Sequence, residues 1–150
     1  MIEGKNTDIV KYIEESIKIV EKMGIKVVDI RDRYVKMVLP REPNLNHVGT
    51  IYAGSLFALG EIVGGAIFLA SFDHANFYPI VKELTIRFKR PGTSDMTVEA
   101  ALTEKEVKKI QKEACEYGKA DWGMNLEIKN ESGDVCCLVN GIWQMRKNGM

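Results

Sequence analysis

Cysteine and histidine are both scarce in this chain. Its three cysteines, Cys115, Cys136 and Cys137, are odd in number and show no C-x-x-C spacing. That pattern excludes a disulfide framework and the common zinc-site arrangements, and it fits a reducing compartment. The two histidines, His47 and His74, bracket a segment whose helix would be roughly 30 Å long, so they cannot share one metal ion within the chain. No metal and no cofactor are expected. A charge excess of one sign is also missing. Twenty-one basic residues balance 21 acidic ones, which argues against a nucleic-acid binder, since such proteins usually carry a basic surplus. No G-x-S-x-G elbow, phosphate-binding glycine loop or H-E-x-x-H motif occurs. The first residues, MIEGKNTDIVKYIEES, are polar and hold no signal-peptide core. A cytoplasmic location is therefore expected. Repeats, low-complexity tracts and linkers are absent too, so residues 1–150 are expected to form one domain.

What is abundant is apolar sequence, at 45% of residues. One run, from Gly49 to Phe72, is long enough to span a bilayer at about 20 residues. Three features argue against a membrane span. Glu61 sits near its middle, at a cost of roughly 3 kcal/mol. Gly54, Gly60, Gly64 and Gly65 weaken it as a free-standing helix. Its flanks carry no cluster of Lys or Arg. A helix that is apolar all round also suits the centre of a soluble core.

Around that run the chain punctuates itself clearly. A first helix is expected from Asp8 to Met23, capped by Thr7, with Ile9, Ile13, Ile17 and Val20 as its apolar stripe and Gly24 as its left-handed stop. Ile25–Ile30 and Tyr34–Leu39 read as strands joined by Arg31-Asp32-Arg33. Pro40 and Pro43 open a loop that leads into the long helix, expected from about Thr50 to Ser71. Ile80–Arg90 alternates, with Ile80, Lys82, Leu84, Ile86 and Phe88 on one side. Met96–Leu102 is a further strand. Thr103 with Glu106 makes a capping box for a helix that runs to Tyr117 and stops at Gly118. Ala120–Ile128 alternates cleanly, and Asn130-Glu131-Ser132-Gly133 turns the chain into a last strand, Asp134–Met145. The expected class is α+β, with a curved antiparallel sheet wrapped around the long central apolar helix. Leu56, Leu59, Val63, Ile67, Ile86, Phe88, Leu126 and Trp143 are its expected core.

Glu61 is the only charged residue between His47 and Asp73. A carboxylate in so apolar a helix needs a partner, water or a chemical task. The plain alternative is a structural pairing with a core Arg or Lys. Cys136 and Cys137 read as small packing residues on a strand, and Ser55 has no adjacent base.

The stretch Asn46-His47-Val48-Gly49-Thr50-Ile51-Tyr52-Ala53-Gly54-Ser55-Leu56-Phe57-Ala58-Leu59-Gly60-Glu61 resembles the hot-dog thioesterases, especially the phenylacetate-pathway type. In that family a loop Asn precedes a His-Gly-Gly, and an acidic residue follows within the central helix. Asn46 matches the loop Asn, Tyr52-Ala53-Gly54 occupies the His-Gly-Gly place, Leu56-Phe57-Ala58-Leu59-Gly60 matches the run before the acid, and Glu61 falls on the acid. Ile86-Arg87-Phe88-Lys89-Arg90-Pro91-Gly92 resembles the strand after the helix, which commonly ends in Arg-Pro. The likeness covers about residues 25–146. Tyr52 in place of His and Ala53 in place of the first Gly are the departures.

The resemblance implies a hot-dog fold, acyl-CoA thioesterase activity and sites shared between subunits. Hydrolysis of a thioester needs a carboxylate that activates water or attacks the carbonyl, together with donors for the oxyanion. Glu61 would be that carboxylate, the Gly54 N–H a donor at the helix N-terminus, and Asn46 a holder of water or thioester. Gly54 and Glu61 are seven residues apart, about 10 Å along one helix, so one carbonyl carbon cannot touch both. A two-fold pairing removes the difficulty, and a homodimer or dimer of dimers is expected. Tyr52 and His47 are candidate substrate contacts, and Lys82, Arg87, Lys89 and Arg90 are candidates for the phosphates of CoA. The alternative for His47 is a solvent-facing loop, for Asn46 a loop cap, and for each basic residue a solvated strand end. Two other functions stay open. One is a hot-dog acyl-CoA hydratase or dehydratase, whose chemistry usually pairs a His with the acid. The other is a non-catalytic acyl-CoA binding domain that keeps Glu61 for structure.

Overall fold

The computed structural model describes residues 6–149. Two short helices, α1 (Thr7–Glu15) and α2 (Lys18–Met23), precede strands β1 (Lys26–Arg31) and β2 (Tyr34–Leu39). The long helix α3 (Ala53–Ser71) follows, then β3 (Phe77–Phe88), β4 (Met96–Ala101), helix α4 (Glu104–Tyr117), β5 (Lys119–Lys129) and β6 (Val135–Lys147). All six strands join one antiparallel sheet in the order β1-β2-β4-β5-β6-β3. Because β3 pairs with β6, the chain leaves one side of the sheet after β2 and returns on the other, with α3 as the crossing element. The sheet curves around α3 in the hot-dog arrangement.

Local chemistry accounts for the elements. On β5, Ala120, Trp122, Met124, Leu126 and Ile128 are buried, and the residues between them are exposed, the period of a sheet with one wet face. At α4, Thr103 accepts from the Glu106 N–H while the Glu106 carboxylate accepts from the Thr103 N–H, and Gly118 ends the helix at φ +80°. Gly24 ends α2 at φ +76°, a conformation that a side chain would strain.

The core lies between α3 and the concave face of the sheet. Trp122 of β5 stands opposite Trp143 of β6, with ring centroids 6.4 Å apart. Phe68 and Phe72 from the end of α3 pack onto Trp122 at 6.3 and 5.3 Å. Among the described residues α3 is the one helix long and apolar enough to cross a membrane. Here its Leu56, Leu59, Val63, Ala66, Ile67 and Phe68 are buried in the protein's own core.

Four expectations need correction. The first helix is broken: Ile17 is extended (φ −108°, ψ 110°) between α1 and α2. Ser and Ile are indifferent helix formers, and the Glu14 carboxylate, three residues before the break, is drawn to the Val27 N–H at 2.8 Å. Ile13 and Val20 stay in the core, whereas Ile17 is exposed. Thr7 is not the cap; the helix starts within it, after Asn6, with no side-chain cap. Helix α3 begins at Ala53 and not at Thr50, because Ile51 is held extended in a bridge to Leu45. Phe88 is 49% exposed and Ile86 only half-buried. Strand β3 is an edge with β6 alone beside it, so Phe88 has a neighbouring strand on one side only.

Candidate functional site

The loop before α3 is built to aim the start of that helix. Buried Asn44 donates through Nδ2 to the carbonyls of Met23 (2.7 Å) and Pro40 (2.9 Å), and its own carbonyl accepts from the Tyr52 N–H at 2.8 Å. Asn46 closes the next turn. Its Oδ1 accepts from the Val48 and Thr50 N–H groups, both at 3.0 Å, and its Nδ2 donates to Thr50 Oγ1 at 3.0 Å. Gly49, at φ +82°, supplies the left-handed residue of that turn. The Asn46 amide is thus committed largely to its own loop, the loop-cap arrangement. Ile51 then donates to the Gly92 carbonyl at 2.9 Å. This bond ties the helix start to the segment just after Lys89 and Arg90.

At the N-terminus of α3, Ser55 and Leu56 donate to the Tyr52 carbonyl. Among the described residues, the N–H groups of Ala53 and Gly54 have no acceptor. Free amides of this kind, with the positive end of the helix dipole, suit an oxyanion. The Tyr52 ring folds over Gly54, where a Cβ would overlap it. This position therefore has to be glycine while Tyr52 keeps its place, and the exposed tyrosine lies directly beside the free amides.

Two turns further along, Glu61 is half-buried. Its carboxylate has no hydrogen-bond or ion-pair partner among the described residues. The structural pairing with a core Arg or Lys is therefore not made among the described residues. Burial pushes its carboxyl group above the ordinary glutamate range, as expected when water is withdrawn from an acid and no cation replaces it. The backbone of Glu61 is held from the other side, where Trp143 Nε1 donates to its carbonyl at 3.3 Å. Gly64, one turn on, makes this possible, since a Cβ there would overlap the indole nitrogen.

Asn46, Tyr52 and Gly54 come together at the start of α3, and Lys89 and Arg90 lie near them through the Ile51–Gly92 bond. Arg90 pairs with Asp134 at 3.6 Å. Arg87 and Lys89 have no ion pair among the described residues. His47 is exposed on the loop, and His74 lies past the far end of α3. Cys136 and Cys137 are fully buried. Burial raises both thiols, Cys137 to about 11, so neither is a thiolate nucleophile at neutral pH. No group of His, Cys, Asp or Glu suited to a metal occurs among the described residues.

Sequence reasoning missed Asn44 and the Trp143–Gly64 lock. Asn44 carries no signal beyond being a polar residue next to Pro43. The spacing Gly60-x-x-x-Gly64 did carry one, because two glycines on one flank of a helix mark a close approach.

A family described as a domain of unknown function, DUF4442, matches residues 16–144. Among solved structures, a Pseudomonas aeruginosa protein of unknown function described as a probable thioesterase is 41% identical. The match covers 93% of each chain with a TM-score of 0.87. A Chlorobaculum tepidum protein of unknown function is 18% identical over 96% of this chain and 95% of its own, at a TM-score of 0.83. A Haemophilus influenzae thioesterase is 15% identical over 100% of this chain and 94% of its own, at a TM-score of 0.72. The last two are similar in fold. No curated protein matches the chain.

Proposed function

The chain belongs to the DUF4442 family, with the hot-dog fold, and on that premise we propose that it is a cytoplasmic thioesterase that hydrolyses acyl-CoA to the free acid and CoA. The observation that carries the proposal is Glu61, an unpartnered, half-buried carboxylate with a raised pKa in an otherwise apolar helix. A general base works best when its pKa approaches the operating pH, and desolvation moves Glu61 in that direction. The name of the 41%-identical relative, a probable thioesterase, supports the same reaction class.

In this reading the protein works as a homodimer, alone or paired again. The Glu61 of one subunit faces the Gly54 N–H of the other. Glu61 takes a proton from water, the hydroxide adds to the thioester carbonyl carbon, and the amides at the start of the partner's α3 hold the oxyanion. Collapse of the adduct breaks the C–S bond, and the proton on Glu61 passes to the leaving CoA thiolate. In the variant mechanism Glu61 itself attacks, and water cleaves the resulting anhydride. Asn46 serves chiefly by holding the loop that aims these amides, with Tyr52 beside them. His47, Arg87, Lys89 and Arg90 form the side from which the CoA phosphates approach.

A substrate panel tests the proposal. Purified protein is given acyl-CoA thioesters, enoyl-CoA and a non-cleavable CoA thioether. Release of free CoA thiol from the thioesters is expected. Hydration of enoyl-CoA without thiol release would replace this reading with the hydratase, and tight binding without turnover would replace it with the binding domain. A single turnover in ¹⁸O-water tests the variant mechanism, since label in the Glu61 carboxylate requires direct attack followed by addition of water at the Glu61 side of the anhydride.

A further inference from the structure

Helix α1 does not lie flat on α3. Between them runs a groove of about 700 Å³, within the size range of small-molecule sites. Ile13 and Ile17 form part of one wall, and Ile62, Gly65 and Leu69 form part of the other. Gly65 is the position that matters. It comes four residues after Glu61, one turn along on the same flank of α3. A Cβ added there would meet no atom within 4 Å. That turn of the groove wall therefore carries no side chain at Gly65, and the space beside it is open because the residue is glycine. Tyr12 and Ile17 on the α1 side are 62% and 45% exposed, apolar surface that an apolar ligand would cover.

We infer that this groove is the acyl subsite of the proposed thioesterase and that it takes a straight, saturated chain of medium length. The inference rests on the thioesterase reading for the chemistry at Glu61. The occupant follows from continuity: a chain whose thioester carbonyl sits at Glu61 has its open, apolar path past Gly65 towards Leu69. The length follows from where polar groups enter the wall. From Glu61 to Leu69 the helix advances about 12 Å, and with C–C bonds of about 1.5 Å a zigzag, which advances about 1.25 Å per bond, covers that distance with about ten carbons. Beyond Leu69 the polar groups of His74 and Asn148 enter the lining beside Phe77, Tyr78 and Pro79, and an apolar chain end would desolvate them at a cost. Gly65 is thus a specificity-determining residue, and α1 is the wall against which the chain is held.

The test is the chain-length profile of hydrolysis from acetyl-CoA to hexadecanoyl-CoA, with wild type, Gly65→Leu and Ile17→Asp. Gly65→Leu fills the passage from the α3 side, and Ile17→Asp spoils the opposite wall at an exposed position that the fold tolerates. Wild type is expected to prefer decanoyl-CoA. In both variants the ratio of decanoyl to acetyl kcat/KM should fall about tenfold or more. If both variants cleave thioesters with the wild-type ratio, the acyl chain lies elsewhere and the inference is overturned while the thioesterase reading stands. If wild type cleaves no thioester, the thioesterase reading fails, and binding of the thioether decyl-CoA judges the groove. Binding lost in both variants supports the groove, and equal binding in all three proteins overturns it.

Discussion

On one flank of α3, Gly60 lies against Val139 and Gly64 against the Trp143 indole, so close that a methyl group would press on the first and overlap the second. On the other flank, the Glu61 carboxylate has no partner among the described residues and Gly65 faces open space. Both flanks belong to one apolar helix, and both use glycine. On the first, glycine brings the helix backbone down onto the sheet, and the Trp143 bond to the Glu61 carbonyl fixes the helix's rotation about its axis. On the second, glycine leaves a passage. The difference teaches that the close-packed flank positions the open one. The carboxylate can stay unpaired and raised in pKa because the opposite side of the same turn is locked.

The largest expected effect separates the chemistry of the open flank from its structure. Glu61→Gln keeps shape and polarity and removes the base. Turnover of the best thioester should fall about 10²–10⁴-fold with the fold intact by circular dichroism. Wild-type turnover in this variant would mean that the unpaired carboxylate has no chemical task.

The pH dependence sharpens the same point, with a definite sign. Burial raises the Glu61 pKa in the folded protein, so folding penalises the ionised form. The contribution of Glu61 to stability is fully present below the unfolded-state pKa and is lost as pH rises through the folded one. Activity needs the ionised form, so it should be lost on acidification at a pH above the ordinary glutamate value of about 4.3. Stability should move the opposite way. Glu61→Gln should gain on wild type as pH rises through this window, and urea titrations at several pH values would show it. A pH-independent difference would mean that Glu61 is as well solvated folded as unfolded.

Large side chains sharpen the comparison next. Leu59 is fully buried on the packed side, and Phe57 is 42% exposed on the open one. Leu59→Ala should cost about 2–5 kcal/mol in urea unfolding. Phe57→Ala should instead weaken the association of subunits, read by sedimentation at falling protein concentration. An unfolding cost at Phe57 equal to that at Leu59, with association untouched, would erase the distinction between the flanks.

Much of this fold is legible in the sequence, for reasons that differ from element to element. Strand β5 and the capping box at Thr103 read directly, because period-two burial and a Thr-x-x-Glu pair are local signals. The break at Ile17 does not, because its cause is the distant contact between Glu14 and Val27. The length of α3 reads well, but its rotation does not. Apolar residues surround it, so periodicity marks no core side, and only the spacing of Gly60 and Gly64 does. Of the site, Glu61 is legible as the single charge in that run. The commitment of the Asn46 amide to its own loop, the lock at Trp143 and the groove beside α1 depend on elements far apart in the chain. Phe88 misleads because alternation identifies a strand face without showing that the strand is an edge.

The smallest expected effect is the sharpest comparison, because it makes the same substitution at adjacent residues. Glycine inside a helix costs about 1 kcal/mol relative to alanine, so in an unobstructed helix each Gly→Ala change should stabilise. At Gly65 the new methyl group meets nothing within 4 Å, and Gly65→Ala should add about 0.5–1 kcal/mol. At Gly64 the methyl would overlap the Trp143 ring. Relieving that overlap moves either the helix or the indole, and overpacking of this kind costs typically about 1–3 kcal/mol, enough to reverse the gain. Thermal or urea unfolding of the two variants should therefore shift in opposite directions. Gly64→Ala should also lower turnover, since a tilted α3 turns Glu61 away from its setting, whereas the small methyl at Gly65 should leave most of the passage open. Stabilisation at both positions would show that the indole yields freely and does not lock the helix. A loss of stability at Gly65, deepening with protein concentration, would show that a second subunit packs on that flank and closes the passage.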